Sequence, residues 1–502
     1  MIATQPQRAR ATDIGILLPE ITQAIARLLP GPDAFAAFVA ALPAWAKTPA
    51  LAAIARLSTV PSMAVAWPTI TVLGPELDSA TTEDLVAATA LGPYIVIGYT
   101  IATRNDLAVV TAVASNITSL TFDLNDASDK TLRFFRSTIA SCTYLVSLEL
   151  TNYGGGSVRY LKGVFFKLAH LTSLALVGGL DWSELELSTG FGERLVHWLR
   201  TKPVVSLTMF AISFADVPGS PLCLALCDAI SSSATLTTLA LNNVNLLERG
   251  FLYERPLPVR LASLEWDKYE GRSSDTSEMW DNFLSALAGG PQLTHFSCKH
   301  FVMLLHDKKI RHMLRGLSSL EINNCASHYE ILDALKTMAN LTTLSFRDVR
   351  FEVQLMRHLV PVLRKLPCLE VLKFTGKSRW EELAMSTNDL AHLLRHVPRF
   401  ACLSHLDVSH DALDMATILG LLPTLNAAAK RLRTINLQGH WQPGDVEDFV
   451  EAVRRLPDRH FAIVLDAAAQ HSEAATDARH EHWIEESGLA PRRGLDQCIV
   501  FI

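Results

Sequence analysis

No stretch of this 502-residue chain stays apolar for the roughly eighteen residues that a membrane-spanning helix needs. The longest candidate, residues 34–46, is broken by Pro43. The residues before Ile14 are polar, so the apolar middle of a secretory signal is missing there and the expected compartment is the cytoplasm or the nucleus. Charge of one sign is also scarce. The 45 basic and 51 acidic side chains leave a net charge of −6, and no run of five like charges occurs, which argues against nucleic acid and anionic membranes as partners. Eight cysteines lie scattered without a CxxC pair. Most fall at apolar positions, as core thiols in a reducing compartment would.

Sequence signatures of catalysis are missing too. His392 and His396 are spaced as zinc ligands can be, but the glutamate of HExxH is absent. His480 and His482 flank Glu481, a spacing that points them to different sides of a helix. Cys223 and Cys227, one helical turn apart among leucines, read as core. Gly154, Gly155, Gly156 and Ser157 follow a strand-like segment but lack the lysine of a phosphate loop. No GxSxG motif occurs. The expectation is a non-enzymatic protein without cofactor, metal or small-molecule substrate.

What the chain has in abundance is one frame, LxxLxL. It begins at Ile117, Leu145, Leu171, Val204, Leu236, Leu261, Leu293, Leu317, Leu341, Leu369, Leu403 and Leu432, on average about 29 residues apart, a period typical of a solenoid. The second and third apolar residues are two apart, so on a strand both point to one face, as Leu174 with Leu176, Leu239 with Leu241 and Leu344 with Phe346 would. Between the frames, residues 193–203, 331–340, 357–367 and 445–457 carry apolar stripes at helical spacing. The pattern resembles the leucine-rich repeat, nearest its long-helix, ribonuclease-inhibitor-like class. The expected fold is an α/β solenoid with a curved parallel sheet inside and helices outside. The usual Asn or Cys after the third apolar residue is present only as Asn125 and Cys325, so no continuous asparagine ladder is expected.

Ahead of the frames, residues 14–72 follow a different pattern. Ile21, Ile25, Leu28 and Leu29 share one face of a helix opened by Pro19 and stopped by Pro30, Gly31 and Pro32. A second helix, with Asp33 as its expected N-cap, aligns Phe35, Phe38, Val39 and Leu42. A third spans residues 50–57, and the β-prone TITV follows Trp67 and Pro68. This order, from Leu18, Pro19, Glu20 and Ile21 through Trp45 to Trp67, resembles the F-box, although the gap between the two tryptophans is longer than usual. The resemblance implies a small all-helical domain that binds a Skp1-type adaptor, with Leu18, Pro19, Ile21, Ile25, Leu29, Phe35 and Val39 divided between that interface and its own core. It implies the substrate-recognition subunit of an SCF-type ubiquitin ligase. The alternative is a stand-alone leucine-rich-repeat scaffold or inhibitor in which these helices only cap the array.

Residues 73–116 then read as degenerate capping repeats, 117–465 as the repeats, with a last strand near residues 461–465, and 466–502 as a C-terminal cap. Side chains between the strand leucines should face the concave side and meet a target protein. The candidates are Asp123, Glu149, Phe210, Asn242, Glu265, Asp267, Lys299, Glu321, Arg347, Lys373 and Asp407.

Overall fold

The computed structural model describes residues 19–75, 77–124, 128–151, 164–178, 185–214, 220–242, 244, 255–267, 284–290, 292–298, 301–305, 310–323, 329–347, 349, 351, 355–375, 387–408, 415–427, 431–436, 452, 462–465 and 499–501. The chain forms two compact units, Met1–Ala229 and Ile230–Ile502.

The first unit opens with three helices, α1 (Pro19–Leu28), α2 (Pro32–Ala41) and α3 (Pro49–Leu57). Pro32 and Pro49 sit at helix starts, where a missing N–H costs nothing. Thr48 caps α3 by accepting from Leu51 N at 3.3 Å. The N-cap of α2 is Gly31, and Asp33 lies inside the first turn, not ahead of it as expected. There its charge still complements the helix dipole. A cis Trp67–Pro68 bond joins β1 (Met63–Ala66) to β2 (Thr69–Val72) in an antiparallel hairpin. Phe35 of α2 stacks on Trp67 with ring centroids 4.3 Å apart.

From β2 onward the strands run parallel. β2 pairs with β3 (Tyr94–Ile101), β3 with β4 (Ile117–Asp123), β4 with β5 (Ser147–Thr151), β5 with β6 (Ser173–Val177), and β6 with β8 (Ser206–Phe210). The pairing therefore runs straight across the boundary expected at residue 72. β7 (Leu185–Leu187) and β9 (Ile212–Phe214) form a separate parallel pair. Helices α4 (Ser79–Ala88), α5 (Arg104–Ala112), α6 (Asp129–Ser141) and α7 (Thr189–Thr201) connect the strands. Each begins where a short polar residue can cap it. Asp78 accepts from Thr81 N at 2.6 Å, Ser128 accepts from Thr131 N at 3.2 Å, and Thr103 and Asp106 bond reciprocally.

The helices ahead of β1 belong to the same packing. α3 lies against α4, and Arg56 of α3 grips Asp84 of α4 through two hydrogen bonds at 2.8 and 2.5 Å. Arg27 of α1 donates from Nε to Leu91 O at 3.2 Å and from Nη2 to Ala90 O at 2.5 Å. These bonds turn the Thr22 and Ala26 side of α1 inward, and both residues are fully buried. The apolar face of α1 is split: Ile21 is 46% and Leu28 83% exposed, while Ile25 and Leu29 are half-buried. Trp45 is 69% exposed as well.

The second unit continues with β10 (Thr238–Asn242), β11 (Ser263–Asp267), β12 (His295–Cys298), β13 (Ser319–Asn323), β14 (Thr343–Arg347), β15 (Val371–Thr375), β16 (His405–Asp407), β17 (Thr434–Asn436), β18 (Ala462–Leu465) and β19 (Ile499–Phe501). All pair in parallel and in sequence order. The register aligns the frame. Leu239, Leu264, Phe296, Leu320, Leu344, Leu372, Leu406 and Ile435 follow one another across the strands, and all are buried. A second column runs Leu241, Trp266, Cys298, Ile322, Phe346 and Phe374, with the last two rings stacked 5.1 Å apart. Helices at Tyr329–Leu335, Leu355–Leu363, Thr387–His396 and Met415–Ala427 occupy the connections. This is a leucine-rich-repeat α/β arrangement, resting on a period-two apolar pattern repeated in register.

Among the described residues no helix is long and apolar enough to cross a membrane. The cysteines divide. Cys142, Cys223, Cys227 and Cys298 are buried as expected, whereas Cys368 and Cys402 are exposed because each sits in the turn just ahead of a frame, not in it. Cys325, Cys498, Asn125, the glycines at 154–156, His480 and His482 lie outside the described residues.

Candidate functional site

Residues that alternate with the buried leucines point to the opposite face of each strand, and the register sets them in rows. In the first unit one row is Ser119, Ser147, Ser173 and Ser206, the next Thr121, Glu149, Ala175 and Thr208, and the last Asp123, Thr151, Val177 and Phe210. All of these side chains are half-buried. Thr121 Oγ1 donates to Glu149 at 3.4 Å.

The second unit shows the same rows with more charge. Its middle row reads Ala240, Glu265, Ser297, Glu321, Ser345, Lys373, Asp407 and Asn436. Neighbouring strands lie about 4.8 Å apart, so the small residues Ser297 and Ser345 separate Glu265 from Glu321, and Glu321 from Lys373, by about 10 Å each. Ser297 is 1% and Ser345 5% exposed, low between taller neighbours. Residues of the flanking row, and Asn436 within the middle row, brace the charges. Asn242 Nδ2 donates to Glu265 at 2.7 Å, Arg347 lies 3.7 Å from Glu321, and Asn436 Nδ2 donates to Asp407 at 3.2 Å. Asn323 Nδ2 donates to Ser297 Oγ at 2.8 Å, and His295 Nδ1 lies 2.8 Å from Ser319 Oγ.

Of the residues expected to meet a target, Asp123, Glu149 and Phe210 share the face of the first unit, while Glu265, Glu321, Arg347, Lys373 and Asp407 share that of the second. Asn242 is in the row but only 8% exposed, held by its bond to Glu265. The side chain of Asp267 and the whole of Lys299 lie outside the described residues. Sequence reasoning passed over Ser297, Ser345, Asn323 and Asn436, which set the spacing and bracing of the charges. The period-two pattern contained them, but small polar residues carry no signal until the register shows what stands beside them.

Of the residues expected to bind an adaptor, Ile21 is exposed, Ile25 and Leu29 are half-buried, and Phe35 and Val39 are core. Pro19 opens α1, and Leu18 lies outside the described residues. His392 and His396 stand with ring centroids 4.7 Å apart, and His396 Nδ1 lies 2.9 Å from its neighbour's carbonyl. Burial, His396 and nearby arginines lower the pKa of His392. No group of three metal-ligating side chains occurs among the described residues.

No protein family matches the sequence, and no curated protein does. Among solved structures, the chain is similar to the leucine-rich repeat-containing protein LegL7 from Legionella pneumophila, at 18% identity over 59% of this chain and 95% of that one, with a TM-score of 0.34. It is similar to the Rad7 and Elc1 complex in yeast, at 12% identity over 85% and 88% with a TM-score of 0.38. It is also similar to an internalin from Listeria monocytogenes, at 13% identity over 65% and 84% with a TM-score of 0.27. The repeating parallel α/β arrangement rests on the strand register itself.

Proposed function

We propose that the protein is a non-enzymatic interaction adaptor whose strand face holds a target protein. The observation that carries this reading is the middle row of the second unit. Small residues separate Glu265 from Glu321 and Glu321 from Lys373, Asp407 stands beside Lys373, and neighbouring side chains brace Glu265, Glu321 and Asp407, so the row offers a partner a fixed pattern of charge. Such a surface presents many contacts, of which a few dominate, and opposite charges in the partner set register and encounter rate more than affinity.

The finer reading is the substrate-recognition subunit of an SCF-type ubiquitin ligase, with α1 docking a Skp1-type adaptor. Its support is the outward face of α1, where Ile21 and Leu28 stand two helical turns apart in solvent. A rival reading is a stand-alone scaffold in which the N-terminal helices cap the array. The bonds from Arg27 to the carbonyls of Ala90 and Leu91 and the packing of α3 on α4 favour it.

A chain cut to begin at Asp78 would lose β1 and β2 together with the helices, so the test uses the full chain. Ile21→Asp with Leu28→Asp alters side chains that the fold leaves exposed, and the thermal midpoint should hold. Capture of a purified Skp1-type adaptor by the unaltered chain, with at least a tenfold loss in the double variant, supports the ligase reading. No capture by either leaves the capping scaffold. For the strand face, Lys373→Glu and Arg347→Glu should change the set of proteins that co-purify, while an unchanged set would refute target binding there.

A further inference from the structure

A second surface lies on the helical side of the first unit. A cleft of about 610 Å³ runs between α6 and the short 3-10 turn Phe165–Lys167. Its α6 wall is a helical stripe, Arg133, Arg136, Ser137 and Ala140, at the spacing that places residues on one face. Lys167 stands on the other wall, and Val164, Leu168 and Ala169 supply apolar surface. All three cations are exposed, and none makes a hydrogen bond or ion pair with another described residue. Just beyond cleft residues Thr143 and Ala169, the half-exposed Tyr144 stacks on His170 with ring centroids 5.4 Å apart.

A chain with a net charge of −6 thus gathers around one cleft three cations that pair with no other described residue. We propose that this cleft docks an acidic peptide segment of a partner protein, its carboxylates meeting Arg133, Arg136 and Lys167 and its apolar side chains meeting the Val164, Leu168 and Ala140 surface. Four features select that occupant. The cations are spread along two walls and so fit spaced carboxylates better than one compact anion. Arginine guanidinium groups hold carboxylates in two-pronged fashion. The volume falls within the roughly 300–1,000 Å³ of binding clefts, and an arginine pair beside an exposed tyrosine has the composition of a protein contact.

The proposal stands apart from the strand-face reading. The probe is a fluorescein-labelled twelve-residue peptide of repeated Glu-Glu-Leu, titrated with the full-length protein and followed by fluorescence anisotropy. Binding should weaken as salt rises. It should fall at least tenfold in the Arg133→Gln, Arg136→Gln variant and in Lys167→Glu, with circular dichroism and thermal midpoint unchanged. A Gln-Gln-Leu peptide should not bind, and Lys373→Glu on the strand face should leave the acidic peptide's affinity as it was. Equal binding by the cleft variants, equal binding of the glutamine peptide, or loss on Lys373→Glu would overturn the assignment. So would a neutral peptide with a single phosphoserine, or an oligo-dT strand, that binds more tightly than the acidic peptide.

Discussion

Gly178 and Ala211 meet just past the ends of β6 and β8, where Gly178 N donates to Phe210 O at 2.7 Å. A side chain at Gly178 would place its Cβ 2.3 Å from the Ala211 carbonyl oxygen. Ala211 itself is held at a φ of 51°, a left-handed conformation that costs a residue with a Cβ about 1–2 kcal/mol. Denaturant titration should therefore find Gly178→Ala destabilising by about 1–3 kcal/mol, since backbone cannot yield as a side-chain tip can. Ala211→Gly should be neutral or stabilising by up to about 1 kcal/mol, the relieved strain being offset by backbone entropy. The thiols offer a second measurement. Burial pushes Cys142 up to about 12, while Cys368 and Cys402 are exposed. A maleimide at pH 7.5 should label Cys368 and Cys402 within minutes and leave Cys142 intact until the chain unfolds.

Elements with a strict period were legible in the sequence, and those that depend on distant partners were not. The frame predicts the strands because alternation is a local property, and β4, β5, β10 and β14 bury the residues it selects. Helix α1 illustrates the limit. Its apolar stripe did not tell which side packs inward, and Arg27, bonding to carbonyls 63 and 64 residues away, buries Thr22 and Ala26. No local window contains that information. The hairpin strand β1, with the sequence MAVA, is likewise too short to announce itself. The α3 to α4 contact has a pH signature. The Arg56 guanidinium holds the Asp84 carboxyl below its ordinary range, and hydrogen bonds from Thr81 do the same for the cap Asp78. Both groups titrate lower folded than unfolded, so the stability they contribute is complete above about pH 4 and is lost as pH falls through their depressed values. Asp84→Asn should flatten the acid limb of a plot of stability against pH and leave its shape above pH 6 unchanged.

At the scale of the whole molecule, each unit is a succession of strands whose leucines touch mainly the leucines before and after them. Stability of this kind is a sum over neighbours. Leu344 is fully buried between Leu320 and Leu372, and Leu344→Ala should cost about 2–5 kcal/mol. Lys373→Ala, at an exposed residue in the alternating row, should stay within about 0.5 kcal/mol. Equal losses in a thermal melt would contradict the division into buried columns and open rows. The candidate site was legible only in part for the same reason that the fold was legible. The frame marks which positions face outward, but the bracing of Glu265 by Asn242 and the low seat of Ser297 arise between strands and not along them.

The separation of columns from rows has a consequence for how such a chain can change over time. Because the leucines answer for folding and the alternating residues do not, a surface position can be rewritten while the scaffold stays solvent-tight beneath it. Glu265, Glu321 and Lys373 work as movable type set in a fixed frame, and a new message needs only a few replaced characters.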